Sequence, residues 1–277
     1  MTERQRPLLI GATAADPKRA IYIWNAIRKY FNEAGLEVEY ALYSTYDVLC
    51  RHLLEGHVDV AWNAPMAHAQ ALIQSQGTCR TLAMRDTDED VHTVIVARAE
   101  TGISELNELR GRRLALGLDV SSELFLLPVA QLAEAGFDVA SECSLVELEP
   151  TEYPNLQSWV DDHAIFQAVL DGRADAGAIF EPWLPSLLRK FRLTDADINV
   201  VWRTRRYSHC AFTAGPGLSD DTSERFVELL LAMDPAEPEI AEMMRMEHLT
   251  KWVRAVDDGW SDLVTAIGGA GLVGKVF

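Results

Sequence analysis

No run of about 18 apolar residues occurs in the 277-residue chain, which excludes a membrane-spanning helix. Cysteine is scarce, and Cys50, Cys79, Cys143 and Cys210 stand far apart without a C-x-x-C pair, so no disulfide is expected. Positive charge is short as well: 25 Lys and Arg against 42 Asp and Glu give a formal net charge of −17. Such a chain repels a phosphate backbone and an anionic membrane surface, and with no Lys/Arg run to offset this, nucleic acid and membrane are excluded as partners. Missing too are a G-x-x-x-x-G-K-[ST] loop, a G-x-S-x-G elbow and an H-E-x-x-H pair, which removes P-loop nucleotide hydrolysis, elbow-type hydrolysis and zincin proteolysis. Residues 1–10 enter an apolar strand with no signal-like apolar stretch, so the sequence predicts a cytoplasmic protein, periplasmic only if a leader was trimmed ahead of Met1.

What is present is a repeated grammar. With 48% hydrophobic residues the chain can bury a full core. Residues 8–13 read as a buried strand, and Ile23, Ile27, Tyr30 and Phe31 recur at helical spacing within 20–34, ending at Gly35. A strand over 36–43, a helix over 46–54 and a strand over 58–62 follow. The second half repeats the order with a strand over 113–117, a helix over 123–135, a stop at Gly136 and then Phe137-Asp-Val. Glu33-Ala-Gly-Leu-Glu-Val returns as Glu134-Ala-Gly-Phe-Asp-Val, and Leu54-Glu-Gly-His-Val-Asp returns as Leu170-Asp-Gly-Arg-Ala-Asp. Alternating strands and helices imply sheets that bind ligands beyond the carboxyl ends of their strands. Residues 92–97 and 207–214 read as crossover strands. The expected fold is α/β and two-lobed, each lobe a mixed sheet flanked by helices, with the ligand cleft between them. Lobe 1 is 1–94 plus 210–277, lobe 2 is the inserted 95–209, and the crossovers form a hinge. Residues 237–248 read as an amphipathic helix burying Ile240, Met243 and Met244.

At this point the chain resembles the phosphonate- and phosphite-binding proteins of ABC importers, in the type 2 periplasmic-binding-protein superfamily, over nearly its whole length. The carriers are Ser44-Thr-Tyr46-Asp before a helix, Gly56-His-Val-Asp59-Val-Ala-Trp62 into a strand, Ser121-Ser122 followed by Phe-Leu-Leu-Pro128, and His163 ahead of Leu170-Asp-Gly-Arg-Ala-Asp. The resemblance implies that Ser121 and Ser122 grip an anion at a helix start, where unpaired N–H groups and a partial positive charge favour it. It further implies an anion contact from His163 and an aromatic wall from Tyr46. Three positions depart from the family. Glu123 replaces a third hydroxyl, Val91 replaces an aromatic, and His209 replaces the acid that pairs with a ligand ammonium, which argues against an aminoalkyl ligand.

Thr13, Trp62 and Asn63 lie at carboxyl ends of predicted strands in lobe 1, as Phe180, Glu181, Pro182 and Trp183 do in lobe 2. Thr13, Tyr46, Trp62, Asn63, His92, Ser121, Ser122, Glu123, His163, Glu181 and His209 make the candidate ligand site. The reading favoured is binding of a small anionic metabolite, phosphonate-like, phosphate-like or a carboxylate, by a binding-protein-like domain. The alternative is an enzyme on the same fold, decarboxylase- or dehydratase-like, using His163, His209, Glu123 and Glu181 as acid and base. His209 beside Cys210, with His92 and Glu123, lacks a recognisable ligand spacing, so no metal is assigned, and no cofactor is. An ABC permease would be a partner only after export.

Overall fold

The structure, a computed structural model, describes residues 6–14, 16–149 and 160–275. In chain order its elements are β1 (Leu8–Thr13), α1 (Pro17–Glu33), β2 (Val38–Tyr43), α2 (Tyr46–Leu54), β3 (Val60–Asn63), α3 (Pro65–Gln74), β4 (Arg80–Thr81), β5 (Ala83–Arg85) and β6 (Thr93–Arg98). There follow β7 (Arg113–Ala115), α4 (Leu127–Glu134), α5 (Val139–Glu142), β8 (Ser144–Val146), α6 (Asp162–Leu170), β9 (Ala176–Phe180), α7 (Leu184–Phe191) and β10 (Ile198–Arg203). The chain closes with β11 (Ala211–Ala214), α8 (Asp220–Leu231), α9 (Pro238–Met246), β12 (Trp252–Arg254) and α10 (Ser261–Gly269).

Two five-stranded sheets result, ordered β2-β1-β3-β11-β4 and β8-β7-β9-β6-β10. Position by position they correspond: three parallel strands, then an antiparallel crossover strand in the fourth place. Of the predicted crossover strand over 207–214, only β11 joins a sheet. Tyr207 makes an isolated bridge to Val91, and the Ser208 and His209 amides donate to the Gly259 and Asp88 carbonyls instead of to a ladder. A short pair, β5 with β12, lies outside both sheets.

The repeated wording has a physical cause. Asp59 and Asp175 each precede the third strand of their sheet, and each clamps the first residues of the central strand. Asp59 Oδ2 accepts from the Leu9 amide at 2.8 Å while its own amide donates to the Leu9 carbonyl at 3.0 Å. Asp175 does the same to Arg113, at 2.9 and 2.8 Å. Each carboxylate also takes a two-pronged arginine, Arg6 in one half and Arg113 in the other. Gly56 and Gly172 turn the chain into this clamp with φ of 75° and 70°, a left-handed conformation that glycine adopts without strain. Removing the carboxylate leaves a backbone N–H and an arginine unpartnered, so Asp59→Ala and Asp175→Ala should each cost about 1–3 kcal/mol in urea unfolding. Two unchanged midpoints would show that the echo carries no stability.

The echo that starts at Glu33 and Glu134 diverges. Val38 starts β2, but Val139 starts α5, because the Asp138 carboxylate accepts from the Ala140 amide and caps a helix there. Against the β2-β1-β3-β11-β4 sheet, Phe31 stacks on Phe226 at 4.8 Å, and Phe212 meets Phe226 and Trp252. Ile240, Met243 and Met244 of α9 join this core, as their spacing predicts. The last helix, α10, packs on α3 and also on α4 and the Ser122–Leu126 turn, so its apolar face ties the two sheets' layers together.

Candidate functional site

The two sheets turn the carboxyl ends of their parallel strands toward one seam. Phe180, which ends β9, stacks on His209 at 4.7 Å, and His209 sits two residues before β11, whose first residue pairs with Asn63 at the end of β3. Further out, Trp183 meets His248 edge-on at 6.1 Å.

On the β1–β3 side the centre is Arg85, which the sequence reading did not single out. Its Nε and Nη2 donate to the two Asp88 oxygens at 2.5 and 2.9 Å, its Nη1 reaches Glu247 Oε2 at 3.3 Å, and its guanidinium lies 5.3 Å over the Trp62 ring. Trp62 rests in turn on Phe212 and Trp252, so its rotamer is held by the lobe 1 core. His209 Nδ1 lies 3.1 Å from Asp88 Oδ1 and 3.1 Å from Cys210 Sγ. Burial alone would lower the imidazole's pKa, but the Cys210 sulfur and the Asp88 carboxylate raise it well above the ordinary value. Burial would raise Asp88, yet hydrogen bonds from His209 and Arg85 hold it at about 2. Tyr46 completes this wall. Its hydroxyl is raised by burial and by Cys210, and it lies within hydrogen-bonding reach of Thr13.

On the β7–β9 side, Ser121 caps a widened first turn. Its Oγ accepts from the Leu124 amide at 3.1 Å, and its carbonyl accepts from the Leu126 amide at 2.8 Å, a π-type bond that replaces the expected regular start of α4. Ser122 follows, 2% exposed, and among the described residues its hydroxyl has no hydrogen-bond partner. Glu123 accepts from Thr93 Oγ1 through its carbonyl, and Thr93 Oγ1 also meets the Tyr207 hydroxyl at 2.8 Å. Asp162, at the start of α6, accepts from the Phe180 amide at 2.6 Å. Burial pushes its carboxyl up to about 7, with further push from the Glu123 and Asp161 charges.

The structure thus brings Thr13, Tyr46, Trp62 and His209 together around Arg85, and gathers Ser121, Ser122 and Glu123 near Asp162. The other candidates have partners of their own. Asn63 is fully buried, its amide donating to Thr213 Oγ1 at 2.9 Å. Glu181 is paired with Arg203. His163 stacks on Phe191 at 5.2 Å. His92 uses Nδ1 on the Thr204 carbonyl at 2.8 Å. For acid–base relay a histidine needs partners on its two different nitrogens, whereas His209 meets Asp88 and Cys210 through the same one. Arg85 and Asp88 were hidden by distance along the chain: their partners Glu247 and His209 lie 162 and 121 positions away.

Comparison with known proteins identifies the family and the fold. The family described as "ABC transporter, phosphonate, periplasmic substrate-binding protein" matches residues 10–260. The phosphate-import protein PhnD of Mycolicibacterium smegmatis is 24% identical over 213 residues, covering 75% of this chain and 65% of that protein, just under two thirds of its length. Among solved structures, PhnD1 of Prochlorococcus marinus in complex with methylphosphonate superposes with a TM-score of 0.67 at 16% identity, over 96% of this chain and 98% of that one. The aliphatic sulphonate binding protein SsuA of Escherichia coli gives 0.62 at 13% identity, over 98% and 95%. These structures share the type 2 periplasmic-binding-protein fold expected from the sequence. Among the described residues no helix is long and apolar enough to cross a membrane. The family description is periplasmic and lends the cytoplasmic expectation no support. With 251 consecutive positions matched, the chain belongs to the phosphonate-binding family of periplasmic substrate-binding proteins of ABC transporters.

Proposed function

We propose that this protein captures a small anion of the phosphonate, phosphate or carboxylate class in the cleft between its two sheets. The observation that carries the reading is Ser122: a buried hydroxyl without a partner among the described residues, next to a capping serine, at the amino end of a helical segment. Buried polar groups are almost always hydrogen-bonded, and a helix amino terminus favours a negative partner. Ser121, Ser122 and the backbone of that turn form the anion grip. Opposite them Arg85 and His209 lend positive charge, and Trp62 and Tyr46 provide apolar wall. Glu123 and Asp162 select against a dianion unless a proton is shared, which favours a singly charged head or a protonated Asp162. Family membership supports two extensions of the proposal, a periplasmic location and delivery of the anion to an ABC permease. A cytoplasmic location rests on the amino-terminal sequence alone.

The test is calorimetric titration with methylphosphonate, phosphate, methanesulfonate and acetate. At least one should bind, and Ser122→Ala should weaken it by about 1–3 kcal/mol with an unchanged melting profile. His163→Ala, which loses a ring stack, should change affinity less. Native affinity in Ser122→Ala, or no binding by any of the four, would overturn the proposal.

A further inference from the structure

The wall facing the anion grip holds a donor set of which the proposed anion capture uses His209 alone. Asp88, His209 and Cys210 place a carboxylate oxygen, an imidazole nitrogen and a sulfur all within 4.8 Å of one another. Nδ1 stands 3.1 Å from each of the other two. Asp88 and Cys210 are buried and His209 half-buried.

From this cluster we propose a site for a borderline-soft divalent cation of the zinc class, bound by Asp88 Oδ1, His209 Nδ1 and Cys210 Sγ. Zinc bonds are about 2.0–2.3 Å to oxygen, nitrogen and sulfur, which asks for donors roughly 3–4 Å apart. The two spacings from Nδ1, 3.1 Å each, fall in that range, and the third lies within 4.8 Å, so side-chain adjustment closes the set around an ion. One nitrogen, one sulfur and one oxygen also suit zinc better than magnesium or calcium, which take oxygen alone. The ion replaces the thiol proton and the proton on Nδ1, and both leave to solvent.

Two neighbours make the set more than a coincidence of positions. Arg85 bonds both oxygens of Asp88 through Nε and Nη2, the way a ligating carboxylate is commonly oriented from behind. The Phe180 ring stacked on His209 fixes the imidazole plane. Thiolate and carboxylate cancel the two charges of the ion, so Arg85 keeps Glu247 as its remaining counter-charge. A second donor group, His52, Glu55 and His57, lies on the surface and competes for any added metal.

Cobalt(II) titration of the intact chain tests the site. In a His52→Ala/His57→Ala background, one equivalent of cobalt should develop a sulfur-to-cobalt charge-transfer band that zinc then displaces. Cys210→Ser should abolish the band and weaken zinc by at least about tenfold, and His209→Gln should weaken it similarly, with far-UV circular dichroism confirming the fold. The proposal falls if the band never appears, if Cys210→Ser binds zinc as tightly as the parent, or if all zinc binding disappears with His52 and His57. Anion titrations of the metal-free Cys210→Ser variant, whose residue takes no part in the anion grip, keep this outcome separate from the proposed anion capture.

Discussion

Asp162→Asn is expected to stabilise the protein at pH 8 by on the order of 2–4 kcal/mol and to change it little at pH 3. The sign follows from where the proton sits. The folded-state pKa of about 7 lies above the ordinary carboxyl value of 3.8, so the folded protein holds this proton more tightly than the unfolded chain does. The stabilisation from that proton is complete below about 3.8 and is lost as pH rises through 7, because the folded protein must then ionise a buried carboxyl beside Glu123 and Asp161. Asparagine keeps an oxygen to accept from the Phe180 amide and carries no charge at any pH. Urea unfolding from pH 4 to 8 should therefore show a falling wild-type profile and a flatter variant one. Parallel profiles would mean that Asp162 is ionised throughout and that the acidic side of the cleft is well hydrated. The same proton bears on binding. Methanesulfonate does not titrate in this range, so tighter binding at pH 6 than at pH 8, lost in the variant, would report Asp162 itself.

Arg85→Met is expected to cost about 3–5 kcal/mol, the scale for breaking a buried ion pair from one side. Asp88 is only 2% exposed and would keep its charge with His209 as its main remaining partner. Glu247 would lose a charged donor, and the Trp62 ring would lose the guanidinium above it. The double variant Arg85→Met/Asp88→Asn should recover much of the loss, since the penalty lies in the stranded carboxylate more than in the missing contact. Thermal and urea unfolding read both quantities. A single-variant cost below about 1 kcal/mol, or additive losses in the double variant, would show that water reaches Asp88 freely.

Particular residues show how far the sequence can be read. Helical spacing foretells the buried face of α9, and the Leu-x-Gly-x-x-Asp echo marks two equivalent turns before β3 and β9. Ser121 as a helix cap is legible from its residue type, and the structure places it there. The regular helix expected from 123 opens instead with a π-type turn, because a backbone bond from Leu126 to the Ser121 carbonyl outcompetes the usual register. Helix propensity alone cannot foresee that. Glu181 and His163 stood out as polar residues at element ends, but Arg203 claims the first and Phe191 the second.

Local order, then, was written in the chain: where helices begin and stop, which faces are apolar, and the two-fold repetition that builds one sheet twice. These features depend on backbone preferences and side-chain periodicity over a few residues. The tertiary structure alone decided which charges meet. Arg85 finds Glu247 and Trp62, and Asp162 finds Glu123, only when distant segments close on one another. Electrostatic energy depends on separation in space and on burial, neither of which position along the chain encodes.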